Sequence, residues 1–170
     1  MYSRISYFYC LILILCIFFI SNLLAQRNTR PTKFGLSAVI QDSQFDILVP
    51  FWISPKTTIA PGIRFLSISN SSKDIGIGLV PRFYFNTNKL SPFLSFKGAI
   101  LIYSSEESET VNDYLLGAGL GGEYFFDPHF SVGIEAQLNF TISAETSTRF
   151  NNPGGTNINT ASVIFASIYF

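Results

Sequence analysis

The amino-acid sequence predicts an all-β fold: an eight-stranded antiparallel up-and-down β-barrel that crosses a membrane with its strands. Three observations favour this fold. The chain opens with an apolar segment typical of an export signal, long stretches of alternating apolar and polar residues follow, and charged residues are scarce. Of its 170 residues, 48% are hydrophobic and 13% are charged, which is about half the usual share of charged residues.

Composition also excludes several classes of function. The 11 basic residues balance the 11 acidic residues, so no basic surface for nucleic acid is expected. Cys10 and Cys16 both lie near the amino terminus, which leaves no cysteine for a disulfide or a zinc site in the remainder. The chain has one histidine, His129. We therefore expect no metal, no cofactor and no nucleic-acid partner.

The amino-terminal segment has the layout of a secretory signal peptide. Arg4 supplies positive charge, an apolar run covers residues 7–20, and Ala25 is a small residue before a cleavage point. A retained transmembrane anchor is the alternative, but it requires about 20 apolar residues, and this run is shorter. The predicted organisation is a signal peptide over residues 1–25, a short segment over 26–32 and a barrel domain over 33–170.

The first four strands are predicted from apolar residues at every second position, the period of a strand with two different faces. They cover residues 33–41, 45–54, 57–69 and 74–86, and Pro61 makes the third less regular. Their apolar faces carry Phe34, Leu36, Ala38 and Ile40; Phe45, Ile47, Val49, Phe51 and Ile53; Ile59, Ile63 and Phe65; and Ile75, Ile77, Leu79, Phe83 and Phe85.

The last four strands are predicted over residues 92–103, 113–126, 130–143 and 160–170. The alternation over 130–143 is unbroken, and its length exceeds the 9–11 residues, roughly, that a membrane-spanning strand requires. The apolar faces carry Leu94, Phe96, Ile100 and Ile102; Tyr114, Leu116, Ala118, Leu120, Tyr124 and Phe126; Phe130, Val132, Ile134, Ala136, Leu138, Phe140 and Ile142; and Ile164, Ala166, Ile168 and Phe170.

The glycine-rich faces indicate which side is the lumen. Alternation alone fits a soluble lipocalin-type barrel with an apolar interior, or a membrane barrel with a polar interior. Because an eight-stranded barrel is narrow, Gly117, Gly119 and Gly121 are expected inside it, with Leu116 and Leu120 outside. A soluble protein rarely exposes so continuous an apolar surface. The sequence therefore favours the membrane barrel.

Connector lengths give an orientation. Membrane barrels have short periplasmic turns and longer outer loops. With the amino-terminal end in the periplasm, the predicted outer loops are residues 42–44, 70–73, 104–112 and 145–159, and the inner turns are 55–56, 87–91 and 127–129. The two longest connectors both fall on the outer side, and the chain is expected to be a monomer.

Two further groups of residues follow from the predicted faces. Five charged residues are expected to form ion pairs in the lumen and to block a continuous pore: Arg64, Arg82, Lys97, Glu123 and Glu135. Outward-pointing aromatic residues are expected to form a girdle in contact with lipid at the periplasmic end: Phe34, Phe51, Phe85, Phe126, Phe130 and Phe170. A second, outer set is Phe45, Phe65, Tyr114 and Phe140.

A family resemblance rests on the glycine-rich residues 117–124 (GAGLGGEY), the turn at Asp127-Pro128 and the terminal Phe170. With these features, residues 33–170 resemble the small bacterial outer-membrane β-barrel superfamily, which contains the OmpA transmembrane domain and OmpX-like proteins. The resemblance implies outer-membrane localisation and assembly by the barrel-assembly machinery. It also implies that Ile168 and Phe170 act as an assembly signal, although Phe165 stands where glycine is common in the family.

Three functions remain open at this point. The expected one is a non-enzymatic structural or surface-interaction scaffold, adhesion-like, with four outer loops that can contact an extracellular partner. A narrow channel for small solutes is the second, and it is disfavoured because side chains fill so narrow an interior. The third is a lipid-modifying enzyme, because His129, Ser131 and Glu135 share one predicted face and resemble the residues of outer-membrane lipid A deacylases. The residues after Ser131 depart from that family, so no catalytic residue is expected.

Two weaker motifs have structural explanations. The glycines at 117–122 lack the Lys-Ser/Thr of a phosphate-binding loop, so close packing in the lumen explains them better. Glu106, Glu107, Glu109 and Asp113 supply oxygen ligands that suit calcium or magnesium. A solvated outer loop is the favoured interpretation of this acidic group.

Overall fold

The computed structural model describes residues 33–41, 44–68, 72–105, 108–147 and 149–170. The predicted signal peptide, residues 1–25, and the short segment over 26–32 lie outside these residues. No helix in the described part of the chain has the length and hydropathy needed to cross a membrane.

The described residues form nine β-strands and one short 3₁₀ helix. The strands are β1 (Gly35–Gln41), β2 (Gln44–Leu48), β3 (Phe51–Ser54), β4 (Thr57–Ile68), β5 (Ser72–Tyr84), β6 (Leu90–Ser105), β7 (Ser108–Phe125), β8 (Phe130–Ile142) and β9 (Thr156–Tyr169). The 3₁₀ helix η1 covers Arg149–Asn151.

These strands close into one antiparallel up-and-down barrel of eight strands, which confirms the predicted fold. Consecutive strands pair with each other at every step except from β2 to β3, and β1 pairs with β9 to close the wall. Both β2 and β3 pair with β4, so together they form a single, interrupted barrel strand.

The interruption lies at Pro50, inside the segment that was predicted as the second strand, residues 45–54. Proline has no N–H to donate, so Pro50 leaves one ladder position without a donor, and the predicted second strand is divided there. Strand β4 runs through Pro61 without a break, because its carbonyl accepts a 2.8 Å hydrogen bond from the amide of Val49. The single strand predicted over residues 57–69 is therefore continuous in the structure, as β4.

The register around the barrel gives its shear, which is the offset along one strand after one complete circuit of paired residues. Direct pairs lead from Ala38 in β1 through each strand in turn to Thr156 in β9. Ala38 itself pairs with Ala166 across the closing seam, ten residues further along β9. An eight-stranded barrel with tilted strands, roughly 35–45° to its axis, has an interior just wide enough for side chains to fill. Side chains from opposite walls therefore meet in the lumen.

Two predicted outer loops have different limits in the structure. Residues 104–112 were expected to be a loop, but β6 extends to Ser105 and β7 begins at Ser108, with Tyr103 paired to Val111. Strand β9 begins at Thr156, where it pairs with Ile142, so the last connector is residues 143–155. Backbone pairing continues beyond the apolar band because ladder hydrogen bonds do not require apolar side chains.

Candidate functional site in the barrel lumen

The barrel has two distinguishable ends. The terminus end is where β1 begins and β9 finishes, and the loop end is where residues 143–155 join β8 to β9. Inward-facing side chains fill the space between them in three groups, described below from the terminus end upward.

An aromatic plug fills the lumen at the terminus end. Six inward-facing rings form it: Trp52, Tyr84, Phe93, Phe125, Phe165 and Tyr169. The rings of Trp52 and Tyr84 stack with centroids 5.1 Å apart, and those of Phe93 and Phe165 meet edge to face at 6.0 Å. Phe93 and Phe125 are 0% exposed, so this end of the lumen is closed.

Glu123 is the polar centre of the plug. Its carboxylate accepts hydrogen bonds from the hydroxyls of Tyr84 at 2.5 Å, Ser131 at 2.5 Å and Tyr169 at 3.0 Å. The side chain is fully buried, and it lies 3.9 Å from the guanidinium of Arg82. Three donors and a nearby cation compensate the loss of hydration of this carboxylate.

Arg82 links the plug to the middle of the lumen. Its guanidinium carbon lies 3.9 Å from the centroid of the Phe165 ring and 5.0 Å from that of Phe93, distances at which a cation is attracted to the ring face. It also lies 3.6 Å from the carboxylate of Glu135. Glu135 accepts further hydrogen bonds from Ser95 at 2.6 Å and from Gln137 at 2.7 Å.

The middle of the lumen holds a second ion pair, Arg64 with Asp46. These residues are direct partners across β2 and β4, and the guanidinium binds the carboxylate through hydrogen bonds of 3.0 Å and 2.9 Å. Lys97 lines the same small cavity as Asp46 and Arg64, and it donates a 2.7 Å hydrogen bond to the side-chain oxygen of Gln137. With Asp46 included, the buried charged residues described so far are three basic ones (Arg64, Arg82 and Lys97) and three acidic ones (Asp46, Glu123 and Glu135).

The five charged residues predicted for the lumen are thus all buried inside the barrel. Arg82 lies next to Glu123 and Glu135, whereas Arg64 is paired with Asp46, a residue that the sequence did not single out. The alternation contained a signal for Asp46. It lies between Phe45 and Ile47 in the sequence, so it falls on the polar face of the predicted strand. The plug was also missed, although its aromatic residues occupy lumen-facing positions in the alternation.

A third group, the Arg149 latch, closes the loop end. It consists of Arg149 in η1, Asp74 in β5 and Asp113 in β7. Arg149 donates hydrogen bonds of 2.5 Å and 2.8 Å to Asp74, and one of 2.8 Å to Asp113. Asp113 also accepts from the hydroxyl of Ser147 at 2.8 Å. Burial lowers the pKa of Arg149, but the hydrogen bonds and charges of Asp74 and Asp113 outweigh burial, so the net pKa is raised and the latch stays charged.

The latch holds a turn with unusual backbone geometry. Phe150 and Asn151 have φ values of 59° and 51°, in the left-handed region that L-residues other than glycine rarely adopt. Such a conformation persists only when the surroundings impose it. Because Arg149 is bound to two strands of the wall, the turn that follows is held above the lumen.

The residues of the predicted girdle lie at the terminus end and point outward. Phe34 contacts Phe170, with ring centroids 5.6 Å apart, and Phe51 at 6.2 Å, while Phe126 stacks on Phe130 at 5.4 Å. Phe85 is also exposed. The amide of Phe170 donates to the carbonyl of Phe34 at 2.9 Å, and Ile168 points outward from β9 beside it.

The structure does not bring His129, Ser131 and Glu135 into a catalytic arrangement. Ser131 donates to Glu123, Nδ1 of His129 lies 3.1 Å from the carbonyl of Tyr169, and Glu135 binds Ser95 and Gln137. The predicted base, His129, is directed to the Tyr169 carbonyl and not to Ser131, and the carboxylate that Ser131 does reach, Glu123, also accepts from Tyr84 and Tyr169 inside the buried plug. The geometry therefore does not favour a hydrolase.

The acidic group proposed as a cation site is also not assembled in the described residues. Asp113 is engaged by Arg149, while Glu106 and Glu107 lie outside the described part of the chain. In the described ranges, no set of three or more His, Cys, Asp or Glu side chains is placed to hold a metal ion.

Comparisons with known proteins bear on the fold. No protein-family model and no curated protein matches the chain. Among solved structures, the amino-terminal β-barrel domain of OprF from Pseudomonas aeruginosa superposes with a TM-score of 0.56 and 13% identity, covering 81% of this chain and 95% of that one. Neisserial surface protein A gives 0.55 and 12% identity, covering 81% and 93%. The chain therefore has the fold of the small eight-stranded outer-membrane β-barrels.

Proposed function

We propose that this chain is an integral β-barrel of the bacterial outer membrane that acts as a closed, non-enzymatic scaffold and presents its loop end at the cell surface. The observation that carries this proposal is the filled lumen. The aromatic plug, the two buried ion-pair groups and the Arg149 latch follow one another from the terminus end to the loop end.

The distribution of polarity supports a membrane location. Large apolar side chains point outward at exposures that a soluble protein rarely shows, such as 67% for Ile134 and 60% for Leu120. Charged strand residues whose side chains the structure describes as buried are Asp46, Arg64, Arg82, Lys97, Asp113, Glu123 and Glu135. An apolar exterior with a polar interior is the pattern of outer-membrane barrels.

Surface display is supported by the latch. The connector over 143–155 is the longest in the described chain, and Arg149 fixes it to two strands. A loop that is ordered before it meets a partner loses less conformational entropy on binding. An ordered loop of this kind suits an adhesion-like role. In this proposal the two ends of the barrel face different compartments.

Cysteine labelling tests the location and the orientation. The variants Thr146→Cys, at the loop end, and Lys56→Cys, at the terminus end, replace exposed residues. Cys10 and Cys16 lie in the predicted signal peptide, so each mature variant carries one thiol. With a membrane-impermeant maleimide, we expect T146C to be labelled on intact cells and K56C only after lysis. The reverse pattern would contradict the orientation, and no labelling on intact cells would contradict surface display.

Planar-bilayer recordings test the closed lumen against the channel alternative. We expect the inserted protein to show no steady conductance, because the plug leaves no continuous path. The folded state of the same sample is verified by SDS gel migration that differs before and after boiling, since closed barrels resist unfolding in detergent. Steady conductance from such a sample would make the channel the better proposal.

A further inference from the structure

One strand of the barrel wall has an unpaired edge at the loop end. Strand β1 pairs with β9 only from Gly35 to Ile40, and the partner of Ile40 on β9 is Ile164. Strand β8 pairs with β9 over a longer stretch, as far as Thr156. Residues 156–163 of β9 are therefore bonded to β8 along one edge, and no described strand pairs with their other edge.

The edge is free because the β1–β2 hairpin is shorter than the strands on either side of it. Strand β1 ends at Gln41, whereas β4 continues to Ile68, beyond Phe65, its last residue paired with β2. Between β9 and β4 the wall therefore has an opening, the notch, above the two strands of this hairpin. Since neighbouring strands lie about 4.7–4.9 Å apart, one added strand fits beside β9 with space left over.

Hydrogen-bond directions show which residues of β9 face the notch. The amide of Ser143 donates to the carbonyl of Gly155 at 2.9 Å. At the other end of the same ladder, the amide of Tyr169 donates to the carbonyl of His129 at 2.7 Å. Odd-numbered residues of β9 therefore bond to β8. Even-numbered residues point their amides and carbonyls the other way, because these directions alternate along a strand in an antiparallel ladder.

Ile158 and Thr160 form the free edge. Their amides and carbonyls face the notch, and none of the described residues forms a hydrogen bond with them there. Thr156 is partly engaged, since its carbonyl accepts a 3.2 Å hydrogen bond from the side chain of Asn152. An unpaired strand edge of this kind presents a row of donors and acceptors that another strand can pair with.

The free edge lies at the level of the membrane surface on the loop side. Ile158 is the direct partner of Phe140, an outward-facing aromatic residue near the loop end. Aromatic side chains in such positions mark the headgroup region of the bilayer. Asn159 and Thr160 are exposed as well, so the edge is accessible to a partner that approaches the loop end.

We propose that the notch binds an extended peptide segment of an extracellular partner protein, which adds to β9 as a strand at Ile158 and Thr160. This inference rests on the proposed function, display of the loop end at the cell surface, and specifies the kind of partner. Strand addition obtains its affinity from main-chain hydrogen bonds. Alternating amides and carbonyls match another peptide backbone, whereas an acyl chain has no groups that could pair with them.

A second copy of the chain does not fit this edge. The strands of an eight-stranded barrel tilt by about 35–45° from its axis. Two barrels with the same orientation in one membrane are related by a rotation about the membrane normal, so their facing β9 strands would cross at about twice that angle. Strands that cross so steeply cannot form a ladder. The edge therefore favours a segment that is free to align with β9.

Binding of a synthetic peptide to the full-length mature protein in detergent micelles tests the site. The probe is fluorescein-labelled and has the sequence of residues 136–142 (AQLNFTI), which pair with residues 156–162 on the other edge of β9. We expect saturable binding by fluorescence anisotropy. Hydrogen exchange followed by mass spectrometry should become slower in residues 156–163 when the probe is bound.

Proline at the free edge separates a backbone role from a side-chain role. Thr160→Pro removes the amide that faces the notch and leaves the ladder to β8 intact, because an edge position tolerates proline. Thr160→Ala keeps that amide. We expect T160P to weaken probe binding by about tenfold and T160A to bind as the parent protein does. Ile158→Pro repeats the test at the second position, and heat-dependent gel migration verifies that each variant is folded.

Backbone methylation of the probe gives a second test on the unchanged protein. Methyl groups on the backbone nitrogens of Leu138 and Phe140, which face β9 when the probe keeps its register, should abolish saturable binding. Methyl groups on those of Asn139 and Thr141 face away from β9. They should leave binding intact, because the notch is wider than one strand.

Three results would overturn the site: equal affinity of T160P and T160A, equal affinity of the two methylated probes, or no saturable binding of the unmethylated probe to the parent protein. Barrel dimers that T160P abolishes would make the edge a contact between copies instead. Failure of peptide binding with the labelling pattern of T146C and K56C intact would refute the peptide site while leaving the proposed function standing. An altered labelling pattern would refute the function instead.

Discussion

The hydroxyl of Tyr84 in β5 and the carboxylate of Glu123 in β7 form a 2.5 Å hydrogen bond inside the barrel, between strands that are not neighbours in the sheet. Strand β6 lies between them, so this contact crosses the lumen instead of following the wall. Together with the hydrogen bonds from Ser131 in β8 and Tyr169 in β9, it makes Glu123 the point at which four strands are joined through side chains.

Replacing Glu123 should be strongly destabilising. In Glu123→Gln, the amide supplies only one acceptor oxygen to three hydroxyl donors, and Arg82 loses a nearby counter-charge. We expect the free energy of unfolding to fall by about 3–5 kcal/mol, measured by urea titration of the folded barrel. Glu145→Gln, an exposed glutamate in the connector, should change it by less than about 0.5 kcal/mol. Equal stability of the two variants would show that Glu123 is not the centre of the plug.

Arg82 and Glu123 should be energetically coupled. Arg82→Gln removes both the ion pairing and the contact with the Phe165 ring, so it should also lower stability. Because the two residues share one network, the loss in the double variant should be smaller than the sum of the single losses. Urea titration of the three variants measures this coupling. Strictly additive losses would mean that the 3.9 Å approach carries no interaction energy.

Gly133 should be required for the position of Phe165. An added Cβ at Gly133 would lie 2.2 Å from the Phe165 ring, so Gly133→Ala forces the ring away from the plug. We expect a loss of about 1–3 kcal/mol, typical of overpacking. Gly98→Ala is the control, and it should be nearly neutral because nothing lies within 4 Å. Combining Gly133→Ala with Phe165→Val should recover part of the loss. A neutral G133A would contradict this packing.

The Arg149 latch should protect the connector from proteolysis. In Arg149→Gln, the charge-assisted hydrogen bonds to Asp74 and Asp113 are lost, and each such bond contributes about 1.5–3 kcal/mol. We expect chymotrypsin to cleave after Phe150 at least about tenfold faster, followed on gels over time. Glu145→Gln changes a charge in the same connector without touching the latch, so its cleavage rate should match that of the parent protein. Unchanged cleavage of R149Q would exclude a holding role for Arg149.

Ser131 should act in stability and not in catalysis. Its hydroxyl donates to the buried carboxylate of Glu123, so Ser131→Ala should lower the free energy of unfolding by about 1–3 kcal/mol. Lipid A extracted from cells that express the parent protein or the variant should be identical by mass spectrometry. Deacylated lipid A that appears with the parent protein and disappears with S131A would establish the enzyme alternative.

The sequence by itself determined the class of fold and the face on which each strand residue lies. Period-two alternation fixes the direction of a side chain through the backbone alone, without any long-range contact. That is why Arg82 and Glu123 were expected inside and Leu120 outside before any pairing was known. Strand limits were less determined, because backbone ladders such as the one between Tyr103 and Val111 continue through polar residues.

Only the tertiary structure decided which lumen residues meet. Alternation gives the face on which a residue lies, but not its level along the barrel axis relative to a residue on another strand. That level is set when the barrel closes with the ten-residue offset between β1 and β9. This offset places Arg82 beside Glu123 and the Phe165 ring, while Arg64 meets Asp46 on the adjacent strand. The Arg149 latch depends on how the connector folds back over the wall, and no local periodicity encodes that path.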